Sequence, residues 1–353
     1  MPSHSLAEFV ESLEQAGELA RVSAEVDPEL ELADVARRAA HAHGPAVFFE
    51  RVKGHHPPVV VNLLGTPGRV CRALDAESLD ELARRLLPAT ASAEQSGWLE
   101  RFKPGLVLSA AKQQPRSIKT GVCQQVVKLG RDIDLAEWPA LRSWPLEPQR
   151  SITAGVVLTV DRETGQRHLA MPPLELVDRN RLAVGWHRYH AALRDLAACR
   201  ARSERLPMAI VLGGNPVLWI AASAPLAADA DSCLFAGLLR GKPLDVVKCR
   251  SHELEVPADA EIVIEGFVDP AEAPVTIGPL GHAGGHYSLA ALVPTMHVTA
   301  VTHRTNPIFP AIVHGPPPNE TTVIGAALAR LWLPLVRQAV PELVDYSLAE
   351  VAG

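Results

Sequence analysis

The sequence predicts a mixed α/β (α+β) fold, in which an N-terminal α/β domain precedes a closed or split β-barrel and a C-terminal helix. A chain of 353 residues, 47% of them hydrophobic, exceeds the length that one hydrophobic core usually serves. Helical periodicity alternates with short apolar runs in the first part of the chain. From about Val122 onwards, many short β-type runs are separated by Gly and Pro turns, which is typical of antiparallel barrels.

The N-terminal region has the pattern of helices and short buried strands. A first helix over Ser5–Ala16 can be capped by its serine, because Ser is a preferred N-cap residue. A second helix over Leu30–His43 would direct Leu32, Val35 and Ala39 towards the core. The next predicted elements are two strands, a turn and a helix: Ala46–Phe49, Val59–Leu63, Gly65–Gly68 and Leu79–Leu87. This region contains no pattern that indicates catalysis.

The remaining two thirds of the chain are predicted to be mainly β. The predicted strands are Gln124–Lys128, Ile152–Val160, Met208–Leu212, Asp245–Lys248, Glu261–Gly266 and His297–Thr302. Inserted helices are predicted at Tyr189–Ala201 and Asp231–Arg240, and a final helix at Thr322–Ala339. The final helix carries more apolar residues than one packed face can hide, which predicts association with another subunit. Those residues are Ile324, Leu328, Leu331, Trp332, Leu335 and Val336.

Composition excludes several classes of protein. A formal net charge of -6 and the lack of a basic block with interleaved aromatics argue against nucleic-acid binding. No uncharged apolar run is long enough to cross a membrane, and Met1–Ser5 does not begin a signal peptide. The five cysteines are far apart and form no C-x-x-C pair, which favours reduced thiols in a cytoplasmic protein.

The segment Gly278–Ser288 is the strongest candidate for a functional site. It contains His282 and His286 together with four glycines and a proline. Glycine lets the main chain approach a ligand closely, and histidine titrates in the range useful for proton transfer near neutral pH. We therefore select His282 and His286 as candidate catalytic residues. The alternative is a tight loop with solvated histidines.

Several motifs in the same order resemble the UbiD-type decarboxylase family. The glycine-rich turn is similar to the family's E-G-P-F-G-[E/D] turn followed by T-G-Y-Y-S, and Val256–Gly266 is similar to its V-P-A-x-A-E-I-V-L-E-G strand. Further matches are Asp132–Leu135 with Trp138-Pro139, Asp161–Gly165, Ala236–Gly241 and Gly315–Pro317. The resemblance covers nearly the whole chain.

The resemblance implies an N-terminal α/β domain over residues 1–115, a split β-barrel of flavin-binding type over 116–315, and a linker helix over 316–353. The family's C-terminal domain is expected to be absent. The implied cofactor is prenylated FMN with a divalent metal (Mn²⁺), and K⁺ is a further candidate. A flavin prenyltransferase would supply the cofactor, and a homo-oligomer or a partner subunit is expected to complete the assembly.

This sequence departs from the family pattern at the positions that carry the chemistry. Ile277 and His282 replace two acidic residues of the turn, and Pro173 replaces an arginine. Arg179 and Arg181 are the nearest replacements along the chain, but their spacing indicates a surface hairpin. The resemblance gives as cofactor-binding candidates His168, Met171, His190, Ala222, Ser223 and Pro279, and as metal ligands His168, His190 and Asp231. Ser232 aligns with the family's glutamate ligand, and Cys233 beside it is expected to be buried.

Three functional hypotheses remain open from the sequence. The first is a carboxy-lyase that acts on an aromatic or α,β-unsaturated carboxylic acid, with His282 in place of the acid/base carboxylate. The second is a family member without activity that serves as a partner-dependent subunit or scaffold. The third is a histidine-lined pocket formed by His168, His282 and His286, with different chemistry, either for another small acid or for a metal. A softer set of His168, His190 and Cys233 for zinc belongs to this third hypothesis.

Overall fold

The computed structural model describes residues 5–86, 113–227 and 230–347. The α-helices in these ranges are α1 Leu6–Gln15, α2 Glu31–His41, α3 Pro67–Ala73, α4 Leu79–Leu86, α5 Ala191–Ala201, α6 Val217–Ser223, α7 Ser232–Arg240 and α8 Glu320–Ala339. Residues 1–4 lie outside the described ranges, and they are part of the segment in which no signal peptide was predicted. Residues 348–353 of the predicted linker also lie outside these ranges.

The strands in the same ranges form four sheets. They are β1 Leu19–Val26, β2 Ala46–Val52, β3 Val59–Val61, β4 Arg116–Ser117, β5 Val126–Leu129, β6 Ser151–Ile152, β7 Val156–Val160, β8 Arg167–Ala170, β9 Leu174–Asp178, β10 Arg181–Val184, β11 Leu206–Leu212, β12 Asp245–Lys248, β13 Glu255–Pro257, β14 Ile262–Val268, β15 Val275–Ile277, β16 Ala291–Val293, β17 Thr295–His303 and β18 Phe309–Ala311. Helices and strands alternate first and strands dominate later, so the predicted mixed α/β fold class is confirmed.

The N-terminal sheet has four strands in the order β1-β2-β3-β18. Strands β1 and β2 are parallel, and α2 makes the crossover between them. Strand β18 pairs in parallel with β3, with Phe309 opposite Val59, although it comes from the far end of the chain. The segment beyond residue 300 therefore completes the N-terminal sheet and connects the two predicted domains.

The large sheet has nine strands, in the order β6-β9-β10-β17-β14-β11-β7-β8, and β5 also pairs with β17. Side chains of β11 alternate between two hydrophobic cores. Ala209 and Val211 belong to one core, and Met208 and Ile210 to the other. This alternation follows from the two-residue period of a strand. In the described ranges the end strands β6 and β8 do not pair with each other.

Two local predictions in the N-terminal region were wrong. The Gly65–Gly68 turn is in fact the start of helix α3, where the Thr66 hydroxyl accepts a hydrogen bond from the Arg69 N–H and Pro67 occupies the first turn. In α2, Val35 is 37% exposed, and Ala36 is buried instead. The capping residue Ser5 was predicted correctly, because its hydroxyl accepts from the Glu8 N–H.

Helix α8 packs within the chain against α3, α4 and α6. Ile324, Leu328 and Leu331 are each at most 5% exposed, while Trp332 and Leu335 are half-buried. The large uncovered apolar face expected from the sequence is therefore not present in the described part of this helix. No helix in the described ranges has both the length and the apolar character to cross a bilayer.

The first residue of α8 connects this helix to the N-terminal sheet. The buried Glu320 carboxylate accepts a hydrogen bond of 2.6 Å from the Leu64 N–H. Burial raises the pKa of Glu320 from 4.5 to about 7, although the nearby Arg69 acts in the opposite direction. A raised pKa means that between pH 4.5 and 7 the folded protein binds a proton that the unfolded chain has lost.

We therefore expect Glu320→Gln, which mimics the protonated acid, to stabilise the protein at pH 8 relative to the wild type. At pH 4.5 the difference should be much smaller, because wild-type Glu320 is then protonated in the folded state. Urea unfolding of both proteins at the two pH values measures this, with the exposed Glu11→Gln as the control. Equal stabilisation at both pH values would contradict the role of Glu320 ionisation.

Candidate functional site

A cavity of about 440 Å³ lies between the glycine-rich turn and the start of α8. Residues 280–284 form one wall, and Thr321, Thr322, Gly325 and Ala326 of α8 form the opposite wall. The remaining lining residues are Ser143, Glu147, Ser151, Thr153, Met171, Pro173, Ser288, His314 and Ser347. The predicted linker helix thus contributes directly to the cavity that the glycine-rich turn encloses.

The glycine-rich segment folds as a short hairpin. Gly281 and Tyr287 form an antiparallel bridge, and the His282 N–H donates to the His286 carbonyl at 2.8 Å. At the tip, the Gly285 N–H donates to the His282 carbonyl at 3.0 Å, with Gly285 at a φ of 82°. Such a positive φ favours glycine, because it lacks a Cβ atom. The hairpin holds both candidate histidines on one short, well-defined turn.

The hydrogen bonds of His282 indicate its tautomer. Its Nδ1 accepts from the Gly284 N–H at 3.2 Å, so the proton of the neutral ring belongs on Nε2. Burial and the neighbouring His286 both lower the pKa of His282. The two rings stack with centroids 4.9 Å apart, which explains why a positive charge on one opposes a charge on the other. His282 lines the cavity as a neutral imidazole near pH 7, whereas His286 is not among the lining residues.

His314 is a second histidine that lines this cavity, and no sequence pattern had indicated it. Burial, and to a smaller extent the charge of His282, lower the pKa of His314 to about 4. Its carbonyl accepts from the Trp144 indole N–H at 3.1 Å, which attaches the segment before α8 to the cavity wall. His314 is therefore a neutral polar group at physiological pH.

Two buried carboxylates hold the two ends of the turn, and neither was selected from the sequence. One Glu147 oxygen accepts from the Gly281 N–H at 2.9 Å, and a Glu175 oxygen accepts from the Gly278 N–H at 3.3 Å. Desolvation raises the pKa of Glu175, and the charge of Glu147 adds to this effect. The two ends of the turn are thus held by carboxylates from distant parts of the chain.

Glu147 also organises the loop that faces the turn. Its second oxygen accepts from the N–H groups of Ser143 and Trp144, at 2.7 and 3.0 Å. The Trp144 ring lies so close to Gly281 that a Cβ atom on this glycine would come within 2.1 Å of it. Glycine is therefore required at 281 for close packing. On the opposite side, the Asn319 side chain donates to the Ala283 carbonyl at 2.9 Å, which joins the turn to α8.

His168, the candidate cofactor and metal ligand, lies elsewhere and is buried. Its Nδ1 is 3.1 Å from an Asp195 carboxylate oxygen, which also accepts from the Thr159 hydroxyl at 2.8 Å. Asp195 comes from α5, so this group connects the sheet to the helix packed on it. Of the described residues, His168 is not among those lining the cavity. The structure therefore does not bring His168 together with His282 and His286, as the third hypothesis required.

The other metal candidates are engaged in local contacts. One Asp231 oxygen caps α7 by accepting from the Leu234 N–H, and the other accepts from the Arg167 guanidinium at 2.7 Å. His190 precedes α5, and its Nδ1 accepts from the His187 N–H at 3.2 Å. The ligand atoms of His168, His190 and Asp231 do not all lie within 4.8 Å of one another. These three side chains are therefore not placed to bind one metal ion together.

Two of the remaining cofactor candidates line a second cavity of about 430 Å³, which shares lining residues with the first. Met171 lines both cavities, and Ser223 lines the second. Ala222 packs against the hydrophobic core that contains Ala209 and Val211. Pro279 lies within the turn and lines neither cavity. The second cavity is otherwise mainly apolar, with Ile324, Leu328 and Trp332 of α8 among its lining residues.

The apolar residues of this chain at two of the substituted positions, Ile277 and Pro173, lie in different surroundings. Ile277 is 5% exposed and packs in a small cluster with Ala183 and Val293. Pro173 lines the cavity where the family arginine was expected. Arg179 and Arg181 make exposed contacts with Asp134 and Asp178. The interpretation of a surface hairpin is thus supported, and no arginine lines the cavity among the described residues.

The two adjoining cavities have room for a ligand, but they do not supply the expected metal triad. Their volumes of about 440 and 430 Å³ lie in the range of sites for small molecules and cofactors. By contrast, both oxygens of Asp231 already have partners. The space therefore fits a cofactor beside a small acid, while the donor set for a divalent metal does not fit.

Comparison with family models agrees with this architecture. The N-terminal domain of 3-octaprenyl-4-hydroxybenzoate carboxy-lyases (UbiD) matches residues 10–86, and the Rift-related domain of the same enzymes matches residues 116–317. An uncharacterised protein of Aquifex aeolicus is 37% identical over 346 residues, which covers 97% of this chain and 71% of the relative.

Two solved structures show the same fold. The first is an evolved dimeric form of the UbiD-class enzyme HmfF from Pelotomaculum thermopropionicum in complex with prFMN. It superposes with a TM-score of 0.85 at 27% identity and covers 99% of this chain and 76% of the other. The second is the closed form of vanillic acid decarboxylase from Sedimentibacter hydroxybenzoicus. It has a TM-score of 0.85 at 29% identity, with 98% and 71% covered.

Proposed function

Because the chain belongs to the UbiD family of carboxy-lyases, we propose that it catalyses the (de)carboxylation of an aromatic or α,β-unsaturated carboxylic acid with prenylated FMN. The observation that carries this proposal is His282, whose lowered pKa keeps the ring neutral near pH 7, in a cavity that the start of α8 also lines. Bound prenylated FMN would supply the electron sink for the departing carboxylate. Met171 and Ser223 would contact it in the second cavity.

The polar groups of the first cavity suit recognition of a carboxylate. The Nε2–H of His282 is a hydrogen-bond donor that can face a carboxylate, and Ser143 and Ser151 line the same cavity. The start of the 20-residue helix α8 adds the positive end of its dipole, since Thr321 and Thr322 line the same cavity. These groups take the place of the absent arginine, but they carry no full charge. We therefore expect weaker binding of substrate than an arginine clamp would give.

His282 performs the proton transfer in this proposal. Decarboxylation breaks the bond between carbon and the carboxylate, and the carbon then takes one proton. The lowered pKa makes a protonated His282 a ready donor of this proton. Because the neutral ring carries its proton on Nε2, it first takes up a proton from water at Nδ1, which ends the hydrogen bond from the Gly284 N–H. The imidazolium then delivers its Nε2 proton to the carbon and becomes neutral again. The cost of losing that hydrogen bond is about 0.5–1.5 kcal/mol, which is small beside the barrier of the reaction.

The test is activity of the full chain coexpressed with a flavin prenyltransferase. We expect release of CO₂, or exchange of the α or ring proton in D₂O, with at least one member of a panel of aromatic and α,β-unsaturated acids. Protein made without the prenyltransferase is the control and should be inactive. The proposal fails if cofactor-loaded protein produces neither CO₂ nor deuterium exchange with any acid of the panel.

We expect the flavin to be held weakly during purification. Asp231 is committed to α7 and Arg167, and His168 to Asp195, so a phosphate-bound cation lacks free carboxylate ligands. Absorption spectra and mass spectrometry should therefore show less than one flavin per chain, with little manganese. Asp195→Ala, which removes the carboxylate partner of His168 Nδ1, is expected to change the retention of flavin. Stoichiometric flavin together with one Mn²⁺ would contradict this view of the ligands.

The second candidate function is that of a partner-dependent subunit without its own activity. The presence of Pro173 in the cavity favours it, because proline offers neither charge nor a donor to a carboxylate. Vanillic acid decarboxylase, one of the similar structures, is a complex of more than one kind of subunit. Size-exclusion chromatography with light scattering shows whether the isolated chain is a monomer, and its activity is then measured in that state. Full activity of the isolated monomer would exclude this second function.

A further inference from the structure

A second group of chemically reactive side chains lies away from both cavities, in the connection between β12 and β13. Cys249 directly follows β12, His252 lies three residues later, and Glu265 is on the neighbouring strand β14. One ligand atom of each residue lies within 4.8 Å of those of the other two. None of the three lines either cavity. Cys249 and His252 are thus close in the sequence, whereas Glu265 comes from a separate strand.

The ring of His252 is oriented as in a metal-binding histidine. Its Nε2 is 3.0 Å from the Met208 carbonyl oxygen, which can only accept, so the ring proton belongs on Nε2. The lone pair is then on Nδ1, which is buried without a hydrogen-bond partner among the described residues. Burial also lowers the pKa of His252, which keeps the ring neutral. A histidine held by a carbonyl at one nitrogen and open at the other is typical of metal sites.

Glu265 is fully buried and its carboxylate is oriented by the same loop. One oxygen accepts from the Arg250 N–H at 3.0 Å, and the other accepts from the Ser251 N–H and hydroxyl at 2.8 and 3.0 Å. Carboxylate oxygens together offer about four acceptor positions, so one position remains for a cation. The bonds to Arg250 and Ser251 keep the carboxylate directed at the segment that contains Cys249 and His252.

Cys249 does not have the surroundings of a catalytic nucleophile. The thiol is free and 5% exposed, and burial together with the charge of Glu265 raises its pKa. Reactive cysteines instead have depressed pKa values and partial exposure. A divalent cation would reverse this situation, because one thiolate and one carboxylate balance its two positive charges in a buried site.

We propose that Cys249, His252 and Glu265 form a zinc site that fastens the β12–β13 connection to the large sheet. Mixed sulfur, nitrogen and oxygen ligands suit Zn²⁺, and a tetrahedral zinc places its ligand atoms about 3.5 Å apart. The ligand atoms of the three residues lie within 4.8 Å of one another, so binding would draw them closer together. A water molecule would supply the fourth ligand. The site is structural and independent of the proposed reaction.

Cobalt substitution in the full chain tests this site, because Co²⁺ bound to a thiolate gives an intense charge-transfer band in the near ultraviolet. The protein is stripped with a chelator and titrated with Co²⁺, and Zn²⁺ is then added as competitor. We expect one Co²⁺ per chain with a thiolate band that Zn²⁺ abolishes. Cys249→Ser should remove the band, and His252→Val should weaken binding at least about tenfold. Cys71→Ser, a half-buried cysteine outside the group, is the control and should behave as the wild type.

Thermal unfolding of the wild type provides a readout that does not need a folded variant. Zinc bound only to the folded state should raise its Tm, and chelator should reverse the rise. The proposal is overturned if wild-type protein binds Co²⁺ without a thiolate band, or if His252→Val binds it as tightly as the wild type. Metal uptake that persists unchanged in both variants would place the metal elsewhere and would also overturn it.

Discussion

Replacement of His282 by alanine is expected to reduce the turnover of the cofactor-loaded enzyme about 10²–10⁴-fold, the range typical for loss of a general acid. His282 lines the cavity, and its Nδ1 is oriented by the Gly284 N–H, so only Nε2 remains for substrate. His282→Gln keeps a polar side chain of similar size but cannot transfer a proton, so its turnover should fall to a similar degree. Steady-state rates of CO₂ release or D₂O exchange measure both effects.

The pH profile separates proton transfer from a structural role of His282. Because its pKa is lowered, the wild-type rate should depend on pH below the ordinary range of histidine. This limb should disappear in His282→Gln. His286→Ala removes the stacked neighbour and should raise the pKa of His282, which moves the limb to higher pH while turnover remains measurable. If both His282 variants keep their activity, the acid/base assignment is wrong.

Replacement of Glu147 by alanine is expected to destabilise the protein by ~3 kcal/mol or more, which is the largest effect on stability predicted for the site. The change leaves the N–H groups of Ser143, Trp144 and Gly281 without their acceptor in a buried region. Each buried donor without a partner costs about 1–3 kcal/mol, and water entering the cavity recovers part of this. Urea unfolding measures the loss, and the exposed Glu11→Ala is the control.

The same variant should impair activity through the turn. Without Glu147, Gly281 is no longer attached to the Trp144 loop, so the position of the adjacent His282 is less defined. Glu147→Gln retains one carbonyl acceptor and should lose less stability than the alanine variant. Its KM and kcat distinguish positioning from substrate contact, since a positioning role lowers kcat at a similar KM. Unchanged stability in Glu147→Ala would show that the three hydrogen bonds contribute little.

Local patterns in the sequence were sufficient for most secondary structure. Ser5 caps α1 as expected, and the strand predicted over Met208–Leu212 lies within β11 of the large sheet. The glycines of the turn were also informative, because the φ of 82° at Gly285 and the contact of Gly281 with Trp144 favour residues without a Cβ atom. These features depend on the conformation of a few neighbouring residues, which the sequence encodes directly.

The sequence alone also indicated the family and the substituted positions 173, 277 and 282, since aligned motifs require no coordinates. It did not indicate which residues hold the turn in place. Glu147 and Gly281 are 134 residues apart, and Glu175 and Gly278 are 103 apart, so no local periodicity connects them. His314 was likewise missed, because a single histidine before a proline-rich segment carries no signal of its cavity.

Only the tertiary structure decided which polar residues meet and which are already engaged. His168, His190 and Asp231 were selected together by resemblance, but hydrogen bonds with Asp195, His187 and Arg167 now account for their orientation. Cys249, His252 and Glu265 converge because β12 ends beside β14, which no spacing along the chain reveals. The physical reason is that strand and turn preferences are local free energies, whereas a site is formed by long-range packing that brings distant segments into contact.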